Sequence, residues 1–237
     1  MSRLVIAGLT LAIAISVPAI LLADGLRAVT GDWYVRAVYD HGGVPPDELG
    51  LTKDRRTALA LTGLHSIRPD EPDGLELLRR ARLPDRTPAF TAREIRHMSD
   101  VRTLLGRVYS FQVVAGFAIL ALGVALAFRP SRRQVVPRAL RLGALLTLAV
   151  AALVGLASIV YWPAFSTPFH LVFFGESSWR FDDADTLRRL YPDRFWIDTA
   201  IVLGALAIAQ AAVLWLVARA WERRAQGRSA LVAKPAA

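Results

Sequence analysis

The stretch Val108–Phe128, VYSFQVVAGFAILALGVALAF, contains 21 consecutive residues without a single charged side chain. A helix of that length rises about 30 Å, which matches the hydrocarbon core of a bilayer. Three similar stretches occur in the chain. The one nearest the N-terminus, Leu4–Ala23, lacks a small-x-small cleavage pattern at its end, so we expect it to remain as a membrane anchor. The sequence therefore predicts an all-α membrane protein with four transmembrane helices. The other three uncharged stretches contain 20 or 21 residues each: Leu4–Ala23, Leu142–Trp162 and Thr199–Ala218.

The charges outside these spans predict the orientation of the chain. The N-terminal residues, the loop 129–141 and the tail 219–237 together carry 11 basic residues and one acidic residue. The longer segments 24–107 and 163–198 carry 18 basic and 19 acidic residues. Because short basic flanks stay on the cytoplasmic side, we expect both termini inside a cell (plasma) membrane and the long segments outside. The formal charge of +9 then reflects topology, and no nucleic-acid partner is expected.

The chain contains no cysteine. Disulfides therefore cannot stabilise the outer segments, although their predicted compartment is oxidising. The same absence excludes a thiol nucleophile and a thiolate metal site. Any acyl transfer by this chain must proceed without a cysteine thioester.

The segment 24–107 is predicted to form a small helical cap on the outer surface. Repeated proline and glycine residues divide it into short pieces. Thr52 is placed to cap a helix near 53–66, and Asp73 is placed to cap another near 74–82.

The end of this cap carries the clearest helix signal. Thr91 and Glu94 have the spacing of a capping box, in which each side chain satisfies an otherwise unpaired helix amide. Apolar residues follow at steps of three and four as far as Val108, with no strong helix breaker. We therefore expect one unbroken helix that leads from the cap into the second span.

The outer loop 163–198 is rich in aromatic residues: 11 of the 21 aromatic side chains in the chain lie between positions 161 and 196. One interpretation is an interfacial belt, since Trp and Tyr prefer headgroup depth. The other is an apolar, water-poor pocket beside the membrane. The residues predicted to line such a pocket are Phe169, Phe173, Phe174, Trp179 and Phe181.

Two of the four histidines are candidates for chemistry. His97 and Asp100 share a helix face, so the carboxylate can fix one ring nitrogen and leave the other as a base. An ordinary surface pair is the alternative. His170 lies among aromatic residues, where it either fills space or is kept neutral and basic. The residues next to His41 and His65 in the sequence are typical of loops exposed to solvent.

Several other chemistries find no support in the sequence. The Gly-x-Ser-x-Gly turn, the His-Glu-x-x-His helix and the Gly-rich phosphate loop are all absent. His97, His170 and Asp100 are the residues that could hold a metal, but no spacing demands it. We therefore expect neither a metal nor a cofactor.

Two groups of motifs resemble a known family. The first is Glu94-Ile95-x-His97-Met98-x-Asp100-Val101, which leads into a span. The second begins with Phe169-His170-x-x-Phe173-Phe174. Together with the order of the spans, these motifs are similar to those of the lipoprotein intramolecular transacylases, four-span bacterial enzymes with an extracellular cap. The second group continues through Ser178-Trp179-x-Phe181-Asp182, Asp185-x-Leu187 and Leu190-Tyr191-Pro192-x-x-Phe195.

The resemblance implies an acyltransferase that acts on diacylglyceryl-modified lipoproteins at the outer membrane face. Such an enzyme moves the sn-2 acyl chain onto the α-amine of the same cysteine and gives a lyso-form lipoprotein. The catalytic pair maps to His97 and His170, with Asp100 and Glu94 as supporting residues. The implied partners are the lipoprotein substrate and membrane lipids, and a monomer is assumed.

The chain also departs from the family pattern. Asp183 stands where a proline follows the Phe-Asp motif, Trp196 replaces a phenylalanine, and Arg188-Arg189 replaces an apolar pair. Two other functions stay open at this point. One is a non-enzymatic four-span subunit or lipid-binding protein, and the other is a hydrolase of lipid esters that uses the same histidines.

Overall fold

The structure is a computed structural model that describes residues 2–41, 44–129, 132–160, 162–175 and 178–232. The side chains at 158–159, 162–165, 225 and 227–232 are not described. Parts of the predicted loops 129–141 and 163–198 and of the tail 219–237 therefore lie outside the described residues.

The described residues form helices and no strand. One isolated antiparallel bridge joins Arg82 to Pro88. The helices, in chain order, are α1 (Arg3–Val29), α2 (Asp32–His41), α3 (Lys53–Ile67), α4 (Gly74–Arg80), α5 (Ala92–Ala127), α6 (Val135–Val160), α7 (Trp162–Phe174), α8 (Thr186–Leu190) and α9 (Asp193–Val232).

Four of these helices are long and apolar enough to cross a membrane. They are α1, α5, α6 and α9, whose most apolar windows have mean hydropathies of 2.5, 2.1, 2.1 and 2.4. The predicted fold class, an all-α membrane protein with four transmembrane helices, is confirmed. The exact bounds of each span, and the division of the chain into inner and outer segments, stay predictions.

The chain divides into two compact units. The first, here called the membrane unit, comprises residues 1–25, 110–153 and 204–237. Within it Gly143 allows close packing, because a Cβ there would lie 2.5 Å from the Cβ of Val17. Glu222, which is almost fully buried, pairs with Arg138 at 3.0 Å and with Arg141 at 3.2 Å.

The second unit, here called the cap unit, comprises residues 26–109 and 154–203. Its main apolar core brings α2, α3 and α4 together with α8. The buried members of that core are Val35, Tyr39, Leu51, Leu59, Ala60, Leu64, Leu78, Ala89, Phe90, Met98, Leu187 and Leu190.

The cap helices begin close to where the sequence places them. The Thr52 hydroxyl accepts a hydrogen bond from the Arg55 amide, so the predicted cap of α3 is confirmed. The position of α4 is also confirmed, but its capping is not. Asp73 stands at the N-cap with ψ near 7° and makes no side-chain hydrogen bond, because its backbone lacks the extended geometry that directs a cap oxygen to the first amides.

The capping box at the start of α5 is formed. The Thr91 amide donates to Oε2 of Glu94 at 2.7 Å, and the Glu94 amide donates to the Thr91 hydroxyl at 3.3 Å. From there α5 runs without a break for 36 residues. The predicted continuous helix is therefore confirmed.

Candidate active site

His97 lies in the second turn of α5. The 36 residues of α5 correspond to about 54 Å, which exceeds the thickness of a bilayer. The part before Val108 carries six charged residues, so the apolar part begins after it and His97 lies outside the predicted span 108–128. The His97 side chain faces the interior of the cap unit and is 9% exposed.

His170 lies on α7, a helix within the segment predicted as a loop. Its Nδ1 lies 2.7 Å from the backbone oxygen of Ser166, one turn earlier. A carbonyl oxygen only accepts, so Nδ1 must donate and the neutral ring carries its proton there. The lone pair of His170 therefore resides on Nε2. Ser166 was missed in the sequence, although its position four residues before His170 is the signal for this contact on a helix.

The two rings lie side by side although 73 positions separate them. Their centroids are 6.1 Å apart, and their planes are inclined by 28°. Burial, followed by the charge of His170, lowers the pKa of His97 to about 4. Burial also lowers the pKa of His170, against the opposing effect of its bond to Ser166. Both rings are consequently neutral at pH 7.

Aromatic side chains surround both imidazoles. Phe174 and Phe181 contact His97 edge-on, with centroid distances of 5.0 and 5.3 Å. Trp179 stacks on His170 at 4.8 Å, and Phe174 lies 5.8 Å from the same ring.

The other two predicted pocket residues, Phe169 and Phe173, are more exposed to solvent. Phe169 is 39% exposed and contacts His170 edge-on at 5.5 Å. Phe173 is 50% exposed and packs on Phe169 at 4.9 Å. Phe173 therefore joins the aromatic cluster through its contact with Phe169, whereas the other four predicted pocket residues each contact at least one histidine ring.

The hydrogen bond between Asp100 and His97 that one interpretation expects is not formed, and the alternative of an ordinary surface pair is also wrong because His97 is buried. In the described part of the chain, the buried Nδ1 of His97 has no hydrogen-bond partner, and the side chain of Asp100 is exposed. The reason is that His97 turns towards Phe174 and Phe181, whereas Asp100 turns into an open cavity. That cavity has a volume of about 290 Å³ and is lined by Arg96, Ser99, Asp100, Phe174 and Ser178.

Glu94 has a larger structural role than the sequence indicated. Its side chain is fully buried, and Oε1 accepts a hydrogen bond from the amide of Leu187 at 2.7 Å. Next to it, Arg93 pairs with Asp185 at 2.5 Å. These two contacts join the first turn of α5 to the beginning of α8.

His41 and His65 belong to helices, not to loops. His41 is the exposed last residue of α2. His65 lies on α3, where Nε2 is 2.8 Å from Oδ1 of Asp32, and Arg68 donates to the same oxygen at 3.0 Å. The predicted loop position of His65 is therefore wrong, although its side chain is 28% exposed, and an acid on the neighbouring α2 pairs with it. No group of three His, Asp or Glu side chains within the described ranges is arranged to hold a metal ion.

Side chains at positions where this chain departs from the family pattern form ion pairs in this structure. Arg188 pairs with Asp193 at 2.6 Å and with Asp183 at 3.6 Å. Arg189 forms two hydrogen bonds to Asp47, at 2.9 and 2.8 Å, and Asp47 is almost fully buried. The Asp47 contact spans 142 positions of the chain, so no local pattern could predict it.

Comparisons with known proteins agree with this fold. The family model described as lipoprotein intramolecular transacylase Lit matches residues 74–196, just over half of the chain. An uncharacterized protein of Aquifex aeolicus (strain VF5) is 29% identical over 199 residues, which cover 84% of this chain and 88% of that protein.

Two solved structures share the architecture. The in meso structure of the membrane-integral lipoprotein intramolecular transacylase Lit from Bacillus cereus superposes with a TM-score of 0.75 at 17% identity, covering 95% of this chain and 99% of that chain. A histidine-to-arginine variant of that Bacillus cereus protein gives a TM-score of 0.70 at 17% identity, with coverages of 94% and 95%.

The fold defines a multi-pass membrane protein, with four helices long and apolar enough to cross a bilayer and a buried histidine pair in its cap unit. The match over residues 74–196 is more specific. The chain belongs to the lipoprotein intramolecular transacylase family.

Proposed function

We propose that this protein moves the sn-2 acyl chain of a diacylglyceryl-cysteine lipoprotein onto the α-amine of the same cysteine. The product is a lyso-form lipoprotein with an N-acyl chain and an S-monoacylglyceryl group. The observation that carries this proposal is the pair His97 and His170, buried among aromatic side chains with ring centroids 6.1 Å apart.

The reaction closes a ring of eight atoms, because the amine nitrogen attacks the carbonyl carbon of an ester on its own thioether-linked glyceryl group. Medium rings form slowly in solution. A site that holds the lipid end of the substrate folded would therefore gain much of its rate from proximity. No covalent acyl-enzyme is needed, which agrees with the absence of cysteine.

His170 is the better candidate for the proton carrier. The bond from Nδ1 to the Ser166 carbonyl orients the ring and leaves Nε2 as the basic nitrogen. As the N–C bond forms, Nε2 accepts the proton of the amine. The C–O bond to the glyceryl group then breaks, and the imidazolium returns the proton to the departing oxygen, which leaves as an alcohol.

His97 suits a different role. Its low pKa keeps it neutral while His170 is charged, so the site never has to hold two adjacent cations. A neutral imidazole N–H can polarise a carbonyl group, and Nδ1 is buried without a partner within the described residues. We assign His97 to hydrogen bonding of the substrate ester as charge develops on its carbonyl oxygen.

The aromatic cluster protects this chemistry from water. Phe174, Phe181 and Trp179 contact the two rings and cover them with apolar surface. Water would compete with the amine for the same ester, so its exclusion favours transfer over hydrolysis. The proposal places this site at the outer face of the plasma membrane, with both termini cytoplasmic and surrounding lipids as partners, in line with the charge distribution of the sequence.

Mass spectrometry of a lipoprotein co-expressed with this protein separates the candidate functions. The host must lack other enzymes that N-acylate lipoproteins. A transacylase conserves the total mass but moves one acyl chain, which tandem fragmentation locates on the α-amine. A hydrolase removes the mass of one acyl chain, and a non-enzymatic subunit changes neither mass nor position; either outcome would overturn the proposal.

A further inference from the structure

We infer that the cavity beside the histidine pair is the subsite for the free N-terminus of the substrate, with Asp100 as the acceptor of its α-ammonium group. This inference rests on the proposed function, since it assigns the polar end of the same substrate. It also gives Asp100 a role that does not pass through His97.

The cavity borders the reaction site directly. Phe174 forms part of its wall and also contacts both imidazoles, with centroid distances of 5.0 Å to His97 and 5.8 Å to His170. The cavity volume of about 290 Å³ lies at the lower end of the usual range for ligand pockets. It therefore fits a small polar group, whereas the acyl chains need another surface.

The charges in the cavity suit a cation that also carries a peptide group. Asp100 is the one acidic side chain among the five lining residues, and in the described part of the chain it forms no ion pair or hydrogen bond. Arg96 in the same wall can only donate, so it suits a carbonyl oxygen of the substrate and not its ammonium group. A free carboxylate is the side chain that best accepts from an ammonium group.

Ser178 supplies an independent observation. Its Oγ is buried, and the described residues offer it no hydrogen-bond partner. A buried hydroxyl without a partner is costly, so a bound polar group would be favoured there. Ser178 and Asp100 line the same cavity, so we assign Ser178 to the first peptide group of the lipoprotein, two bonds beyond the α-amine that Asp100 holds.

This arrangement distinguishes substrate from product. The substrate carries an α-amine with a pKa of about 8, so most of it is cationic at pH 7. The ammonium group gives up one proton to water before the amine attacks, and after transfer the nitrogen is an amide that carries no charge. Asp100 then loses its ionic partner, which weakens binding of the product and favours its release.

Binding measurements on the purified full-length protein in detergent micelles test the inference. The probes are a synthetic cysteine lipopeptide with a free α-amine, whose two glyceryl chains are ether-linked so that no acyl chain can move, and the same lipopeptide with an N-acetyl group. We expect the wild type to bind the free amine about tenfold or more tightly than the acetylated form, in line with one charge-assisted hydrogen bond. Asp100→Asn should abolish this preference and Asp100→Glu should restore most of it.

Two further variants separate a ligand contact from a structural effect. Ser178→Ala should weaken the binding of both lipopeptides alike, because its partner is the peptide group that they share. Asp70→Asn is the matched control, since Asp70 is an exposed acid of the cap unit that does not line the cavity. It should leave the preference unchanged.

Equal affinity of the wild type for both lipopeptides, or a preference that survives in Asp100→Asn, would overturn the inference. Binding is measured without turnover, so this result is independent of whether the acyl chain moves. Failure of acyl transfer in the same wild-type preparation would count against the proposed reaction alone.

Discussion

The carboxylate of Glu94 accepts a hydrogen bond from the amide of Leu187 at 2.7 Å, and its other oxygen accepts one from the amide of Thr91 at the same distance. One fully buried side chain thus joins the start of α5 to α8 across 93 positions of the chain. His97 follows Glu94 by one helical turn. This contact therefore holds the start of the helix that carries His97 against α8.

Glu94→Ala should destabilise the cap unit and reduce activity. The substitution leaves the amides of Thr91 and Leu187 without their shared acceptor, and each lost partner costs about 1–3 kcal/mol. Glu94→Gln retains one acceptor oxygen and should lose less. The measurement is the thermal unfolding temperature in micelles, with Glu76→Ala as the control because Glu76, among the described residues, pairs only with arginines on its own short helix. Equal unfolding temperatures for Glu94→Ala and Glu76→Ala would contradict this account.

Phe174→Ala should lower the rate of acyl transfer and raise the share of a deacylated side product. Phe174 contacts both histidine rings, so its removal admits water beside them. Phe173→Ala is the matched control, since that ring is half exposed and packs on Phe169. The measurement is the ratio of N-acylated to deacylated lipoprotein at matched membrane levels. If both variants keep the wild-type rate and ratio, the aromatic residues act as interfacial anchors.

His97 should make the stability of the protein fall as the pH drops from 6.5 to 4. The pKa of His97 is lowered to about 4 in the folded state, whereas an unfolded chain binds this proton near pH 6.5. Between these values the unfolded state binds more protons, so acid favours unfolding by about 3 kcal/mol across the window. Below pH 4 this contribution stays constant.

Thermal unfolding across this pH range checks the effect. His97→Phe should flatten the dependence, while the control His41→Gln should keep it because His41 is exposed. An unchanged pH dependence in His97→Phe would mean that the His97 ring is not held neutral by burial.

Single cysteines test the predicted topology cleanly, since the chain has none of its own. Asp70→Cys in the cap should react with a membrane-impermeant maleimide in intact cells, and Ser131→Cys should react only after the membrane is permeabilised. This expectation follows from the basic flanks of the second and third spans. The reverse labelling pattern would place the histidine pair on the cytoplasmic side.

Local signals in the sequence predicted much of the fold. The charge-free stretches predict the four long helices, and the Thr91–Glu94 spacing predicts the start of α5. These features depend on residues that are neighbours in the chain. The helix α2 was not predicted, although the apolar spacing of Tyr34, Val35, Val38 and Tyr39 would have indicated it.

Contacts between distant residues could not be predicted in this way. The sequence suggested Asp100 as the partner of His97 because they are three residues apart, but the packing of His97 against Phe181 decides its orientation. The Asp47–Arg189 pair is likewise a product of tertiary packing. The histidine pair itself was identified through a resemblance of motifs, since spacing alone cannot bring residues 97 and 170 together.

The most direct test of the proposed reaction is the position of the acyl chain on the lipoprotein when either histidine is replaced. Tandem mass spectrometry of the N-terminal lipopeptide would compare the wild type with His97→Gln, His170→Gln and the control His41→Gln at equal membrane levels. We expect N-acylated lipopeptide from the wild type and the control, and a loss of about 10²–10⁴-fold for His170→Gln. His97→Gln should also lose most of its activity. Near-wild-type N-acylation by either His97→Gln or His170→Gln would contradict the account.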